Sequence, residues 1–234
     1  MAILKNKFIM KTRLYFISLI TIILCTSCAT NLTLADLHPK ACTNKKLPSL
    51  EPLIDVNSME YIYSKGGVST SYNGSTFKTS FGNFVTFGSA NSTMYADDRI
   101  GDVLTYIDRD VKNSITDYLS KPIGKIYFRT TGYKYSYKPK MGNMLIGSLL
   151  LTIPIIAGMN VYGYDSTIEL DVEIKNNSDI PVAKYSVIGY VDVKTKGFNT
   201  MSVRKLNIMA LENAMDKLKQ NINNDYDSII EKLK

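Results

Sequence analysis

Between Asp97 and Leu119 the apolar residues Ile100, Val103, Leu104, Ile107, Val111, Ile115 and Tyr118 recur at spacings of 3, 1, 3, 4, 4 and 3, which places them on one face of a helix. Asp97 and Asp98 stand at its start, where carboxylates suit the free N–H groups and the positive end of the helix dipole. A second helical stripe closes the chain over 201–234: Leu206, Ala210, Leu211, Ala214, Met215, Leu218, Ile222, Tyr226, Ile229 and Leu233, with Asn223-Asn224 marking a bend or a break. Between the two helices the period changes to two. Ile168, Leu170, Val172 and Ile174 alternate with Glu169, Asp171, Glu173 and Lys175, the run Asn176-Asn177-Ser178-Asp179 supplies turn residues, and Tyr185, Val187, Val191 and Val193 resume the apolar face, which predicts a hairpin. Within 126–138, Tyr133, Tyr135 and Tyr137 alternate with Lys134, Ser136 and Lys138, so a strand here shows phenols on one face and ammonium groups on the other. The acidic side of the hairpin would complement those lysines if the strands were neighbours. Segment 59–90 is rich in Ser, Thr, Gly and aromatics and predicts strands or an extended ribbon around Gly66-Gly67 and Asn73-Gly74, with Phe77, Phe81, Phe84 and Phe87 as alternating core contacts. Two helices packed on one antiparallel sheet make a two-layer α+β domain.

The stretch from Met144 to Met159 breaks both periods, with 16 residues and no charge. As a helix it would span about 24 Å, short of the roughly 20 residues a bilayer crossing needs. Lys138 and Lys140 precede it and Tyr162 and Tyr164 follow it, the residue types with which membrane segments meet headgroups. A single crossing would leave the strand before it and the hairpin after it on opposite sides of the membrane, and Pro154, Gly147 and Gly158 favour a segment that doubles back. Three readings remain open: a loop that dips into or lies on a membrane through Leu145, Ile146, Leu149, Leu150, Leu151, Ile153, Ile155 and Ile156; a buried segment of the core or of an oligomer interface; and a true span.

The N-terminus carries a different pattern. Lys5, Lys7, Lys11 and Arg13 precede the 12-residue apolar run 14–25, the layout of a secretory signal. These four cations also explain much of the formal charge of +7: without them 24 of the 28 basic residues face 21 acidic ones, a balance that gives no reason to expect nucleic acid as a partner. Residues 29–52 are polar, show no sustained period and hold Pro39, Pro48 and Pro52, the composition of a flexible tether. One histidine, His38, and three cysteines, Cys25, Cys28 and Cys42, are too few for most zinc sites or for a disulfide scaffold, so no metal or other cofactor is expected.

The sequence Cys25-Thr26-Ser27-Cys28 resembles the lipobox of bacterial lipoproteins, in which the signal peptide is cut before a cysteine that then carries acyl chains. By position, the resemblance implies cleavage between Ser27 and Cys28 and lipidation of Cys28; Cys25 departs from the leucine usual three residues earlier. It implies a partner in membrane lipid, held through the acylated cysteine. Ala29 follows, with no acid before Asp36, which in such lipoproteins points to the outer membrane facing the periplasm. An ordinary secretory peptide or an uncleaved anchor are the other readings of this segment. The expected division is a signal peptide over 1–27, a lipidated tether over 28–52 and one α+β domain over 53–234. Beyond residue 28 the layout is similar to that of uncharacterised small envelope lipoproteins, with Asp97-Asp98-Arg99-Ile100 opening a helix and Val182-Ala183-Lys184-Tyr185 in a hairpin.

Catalytic motifs are missing. The single histidine lies in the expected tether, no Gly-x-Ser-x-Gly occurs, and Gly142 to Gly147 lacks the lysine of a phosphate-binding loop. The acids Asp97, Asp98, Asp102, Asp108 and Asp110 are expected mostly on the solvated side of their helix. The sequence therefore points to a non-enzymatic scaffold or accessory subunit that meets an envelope protein through a sheet edge or the apolar loop. The alternative is a glycan- or lipid-binding module using Tyr133, Lys134, Tyr135, Tyr137 and Lys138.

Overall fold

Along the chain, a computed structural model describes residues 29–39, 45–65, 76–78, 84–86, 96–117, 119–139, 159–196 and 200–233. The strands are β1 (Ala29–Thr30), β2 (Glu51–Ile54), β3 (Thr76–Lys78), β4 (Phe84–Thr86), β5 (Gly124–Pro139), β6 (Asn160–Asn176), β7 (Pro181–Lys196) and β8 (Thr200–Met201). The helices are α1 (Val56–Lys65), α2 (Ala96–Asp110), α3 (Val203–Asn224) and α4 (Tyr226–Leu233), with a 3-10 turn over Leu34–Leu37 and a π-helical turn over Val111–Ile115. The architecture is α+β.

The main sheet has the order β2-β5-β6-β7. Gly132 lies against Glu169 and Gly163 against Lys138, so β5 and β6 run antiparallel. The β6–β7 hairpin closes on its expected residues: the Asn176 carboxamide oxygen accepts from the Ser178 and Ile180 N–H groups at 3.0 and 3.1 Å, and Asp179 takes a left-handed φ of 59°, which a short polar side chain tolerates. The sheet is mixed because β2 joins parallel to β5, with Pro52 opposite Ile126 and Ile54 opposite Phe128. Separate two-stranded pairs are formed by β1 with β8, parallel, and by β3 with β4, antiparallel.

Period-two burial explains which side of the sheet takes the helices. Ile168, Leu170, Val172 and Ile174 are buried, as are Ile126, Phe128 and Thr130 on β5. The buried phase of β5 then moves to Tyr133 and Tyr135, a one-residue slip across Thr131-Gly132 of the kind that a β-bulge introduces. On the buried side, Tyr63 of α1 stacks on Tyr133 with ring centroids 4.4 Å apart and donates to the Asn207 carboxamide oxygen of α3 at 2.9 Å. Where α3 crosses β7 the position is Gly189, and a Cβ there would stand 1.9 Å from the Ala210 carbonyl oxygen. Only glycine permits that approach.

Several expectations change. Residues 59–65, the start of the segment expected as strands or ribbon, belong instead to α1, because Asp55 caps it: the Ser58 N–H donates to Asp55 Oδ1 at 3.1 Å, and the local capping competes successfully with a weak alternation. Within the stretch expected as tether, 28–52, residues 45–52 are packed against the fold. Leu47, Ser49 and Leu50 are buried, the Leu47 N–H donates to the Ile115 carbonyl, and Lys45 lies 5.3 Å over the Tyr226 ring. Asn223-Asn224 does end a helix, with Asp225 separating α3 from α4. Gly66-Gly67 and Asn73-Gly74 lie outside the described residues.

The chain divides into two compact units: Leu32–Tyr137, Tyr164–Asp192 and Val203–Lys234 form the larger, and Met1–Asn31, Lys138–Gly163 and Val193–Ser202 the smaller.

Candidate functional site

The larger unit presents the site on the side of the sheet opposite Ile168, Leu170 and Val172. Here β6 shows Asp171 and Glu173, β5 shows Tyr127 and Arg129, β7 shows Lys184 and Ser186, and Leu53 and Asp55 come from β2 and the residue after it. Together with the adjoining backbone of Ile54, Phe128, Val172 and Tyr185 they line a groove of about 630 Å³. The alternation that buries one set of side chains necessarily sends the other set here.

Its charges are balanced internally. The Lys184 ammonium lies 2.9 Å from Glu173 and Lys175 lies 3.3 Å from the same carboxylate. Lys184, then Lys175, hold the Glu173 carboxyl below its ordinary value. Lys175 Nζ also stands 4.6 Å above the Tyr127 ring. Ser186 donates to Asp171 at 2.5 Å, and Arg129 pairs loosely with Asp55 at 4.0 Å. Asp55 thus caps α1 and borders the groove at once.

Further along the same side of β7, Ile188 and Tyr190 are each 51% exposed. The β7 edge beside them is already occupied: Asn213 accepts the Tyr190 N–H at 3.2 Å and Lys217 donates to the Ile188 carbonyl at 2.6 Å. Strand addition at these residues is blocked, the usual protection of an exposed edge.

The tyrosines proposed from sequence occupy the other side. Tyr133 and Tyr135 are buried, Tyr137 is half-buried against Tyr164 at 5.4 Å, and Lys134 and Lys138 point away from them into solvent. Burial raises the Tyr133 hydroxyl, with Arg99 opposing, and raises Tyr135 strongly. The bulge at Thr131-Gly132 turns these rings into the core, so they cannot serve as a stacking platform. Nor do Lys134 and Lys138 partner the acids of the groove; Lys175 and Lys184 do.

Two helix acids expected in solvent are buried instead. Asp102 forms a bidentate pair with Arg204 at 2.7 and 2.8 Å, and Asp110 meets Lys219 across the α2–α3 contact at 3.3 Å. Both acids recur on the inward side of α2 because helix α3 brings cations there. Asp108 stays outside with Lys112 at 2.8 Å.

Ser27, Cys28 and the apolar residues Leu145, Ile146, Leu149, Leu150, Leu151, Ile153, Ile155 and Ile156 lie outside the described residues. Among the described residues no helix is long and apolar enough to cross a membrane, and no group of three or more His, Cys, Asp and Glu side chains is placed to hold a metal.

No family model matches the chain, and no curated protein matches it. Among solved structures it is similar to a Xanthomonas campestris protein described as DUF330, with 11% identity, covering 82% of this chain and 97% of that one at a TM-score of 0.30. A likeness of that degree assigns no function.

Proposed function

We propose that the chain is a non-enzymatic, lipid-anchored bacterial envelope protein, acylated on Cys28 and held at the outer membrane facing the periplasm, whose groove-bearing sheet face recognises its partner. The observation that carries the recognition surface is the groove itself: β5, β6 and β7 turn a row of charged and apolar side chains outward while the helices back the other side. The anchor is supported by the lipobox-like Cys25-Thr26-Ser27-Cys28. Multiple acyl chains hold a protein firmly, at about 0.8 kcal/mol per buried methylene. The β1–β8 pairing begins at Ala29, directly after Cys28, so the attachment point adjoins paired backbone. Within this reading the apolar run 144–159 is a second lipid contact.

Fatty-acid labelling of the wild type and Cys28→Ala in a bacterial host tests the anchor. Label in the wild type that disappears in the variant is the expected result; an unlabelled wild type removes the lipoprotein reading and leaves residues 1–27 as a secretory or anchoring peptide. Photocrosslinking from position 129 tests the recognition surface, and an adduct with an envelope component is expected.

A further inference from the structure

We propose that the groove binds a neutral saccharide. The inference rests on the reading of the open sheet face as a recognition surface and names the chemistry it takes.

Charge balance selects the class. Glu173 is matched by Lys184 and Lys175 at 2.9 and 3.3 Å and Asp55 by Arg129 at 4.0 Å, while Asp171 accepts from Ser186, so the three acids and the three cations beside them sum to no net charge and the groove favours neither a cation nor an anion. A hydroxyl is donor and acceptor together and can bridge the members of such pairs without leaving either charge uncompensated. Hydrogen-bonding capacity remains for it. The side chains of Arg129 and Lys184 are each 70% exposed, and Asp171 accepts from Ser186 with further lone pairs to offer. Leu53 and Tyr127 add apolar surface suited to sugar C–H groups.

Shape and surroundings agree. About 630 Å³ falls within the roughly 300–1,000 Å³ of small-molecule sites, and the depression crosses four adjacent chain segments, room for more than one sugar ring. An extended peptide would be held through a strand edge, yet Asn213 and Lys217 occupy the β7 edge at Tyr190 and Ile188. A lipid tail would need continuous apolar walls, whereas Asp55, Arg129, Asp171, Glu173 and Lys184 interrupt these.

The experiment is saturation-transfer NMR and equilibrium dialysis of the full chain in phosphocholine micelles, with tri-N-acetylchitotriose and maltotriose as probes. At least one probe binds, with a Kd on the order of millimolar, and the affinity changes little between low and physiological salt because no net charge is neutralised. Asp171→Asn and Arg129→Gln each weaken binding at least tenfold with melting temperatures unchanged; Lys134→Ala, on another part of the surface, leaves it intact. Absence of binding by both probes overturns the proposal, as does binding indifferent to both groove variants or one that falls steeply with salt. A protein adduct from position 129 without saccharide binding overturns the ligand class while the recognition surface stands; absence of both removes the surface as well.

Discussion

Lys219→Met should be among the most damaging single substitutions in the larger unit. The Asp110 side chain is 0% exposed and that of Lys219 is 7% exposed; the ammonium lies 3.3 Å from both carboxylate oxygens and 2.8 Å from Asp216. Methionine fills nearly the same space, so packing changes little while Asp110 is left buried beside no cation. Removing one member of a buried pair costs about 3–5 kcal/mol, because the desolvated charge remains. For a chain of this size that corresponds to a fall in Tm on the order of 10 °C. The pH dependence has a definite sign. Burial, opposed by Lys219, holds the Asp110 carboxyl above its ordinary 3.8. The folded state therefore keeps this proton to higher pH than the unfolded chain, and the group's contribution to stability declines as pH rises from 3.8 through the raised value. Without Lys219 that value rises further, so the deficit of the variant is largest at neutral pH and shrinks on acidification. Urea and thermal unfolding of the full chain in micelles, at pH 7 and pH 5, measure both effects. A loss under about 1 kcal/mol, or a deficit that grows in acid, refutes the reasoning. The double variant Asp110→Leu/Lys219→Met should recover most of the loss, since no buried charge is left.

Gly189→Ala should destabilise by about 1–3 kcal/mol or more, since its Cβ would meet the Ala210 carbonyl at 1.9 Å and force α3 away from β7; an unchanged melting curve would contradict that contact. Leu47→Ala should cost about 2–5 kcal/mol, the usual range for a fully buried leucine, and a neutral outcome in urea would return residues 45–50 to the tether. Lys184→Ala should move the Glu173 titration upward toward the ordinary carboxylate range, as followed by side-chain NMR, because the largest cause of its depression is removed. Since the folded value is the lower one, the stabilisation from Glu173 is present above its ordinary 4.5 and is lost as pH falls through the depressed value. A titration that does not move in this variant would mean that Lys184 is not the partner in solution.

Periodicity alone determined the elements with long, regular patterns. The spacing of Ile100, Val103 and Ile107 made α2, that of Leu206 to Ile222 made α3 with its break near Asn223-Asn224, and the strict alternation of Ile168 to Ile174 with the Asn-rich turn made the β6–β7 hairpin, because in each case local chemistry and burial point the same way. The α+β class follows from those elements. Tertiary structure decided the rest. A one-residue slip in β5 sent Tyr133 and Tyr135 inward, and no composition rule marks where a bulge falls. Asp55 overrode a weak strand pattern to start α1. Long-range pairing made β2 parallel to β5 and buried Leu47 and Leu50, within a stretch whose own sequence has no period. Half of the groove was legible, since the alternation of β6 already turned Asp171 and Glu173 outward. Lys184 followed from the same hairpin, but Arg129 and Asp55 stand far from them in sequence, and hydrogen bonding between strands, which acts through the backbone and is blind to side-chain identity, is what brings β5 and β2 beside β6 and sets Arg129 4.0 Å from Asp55.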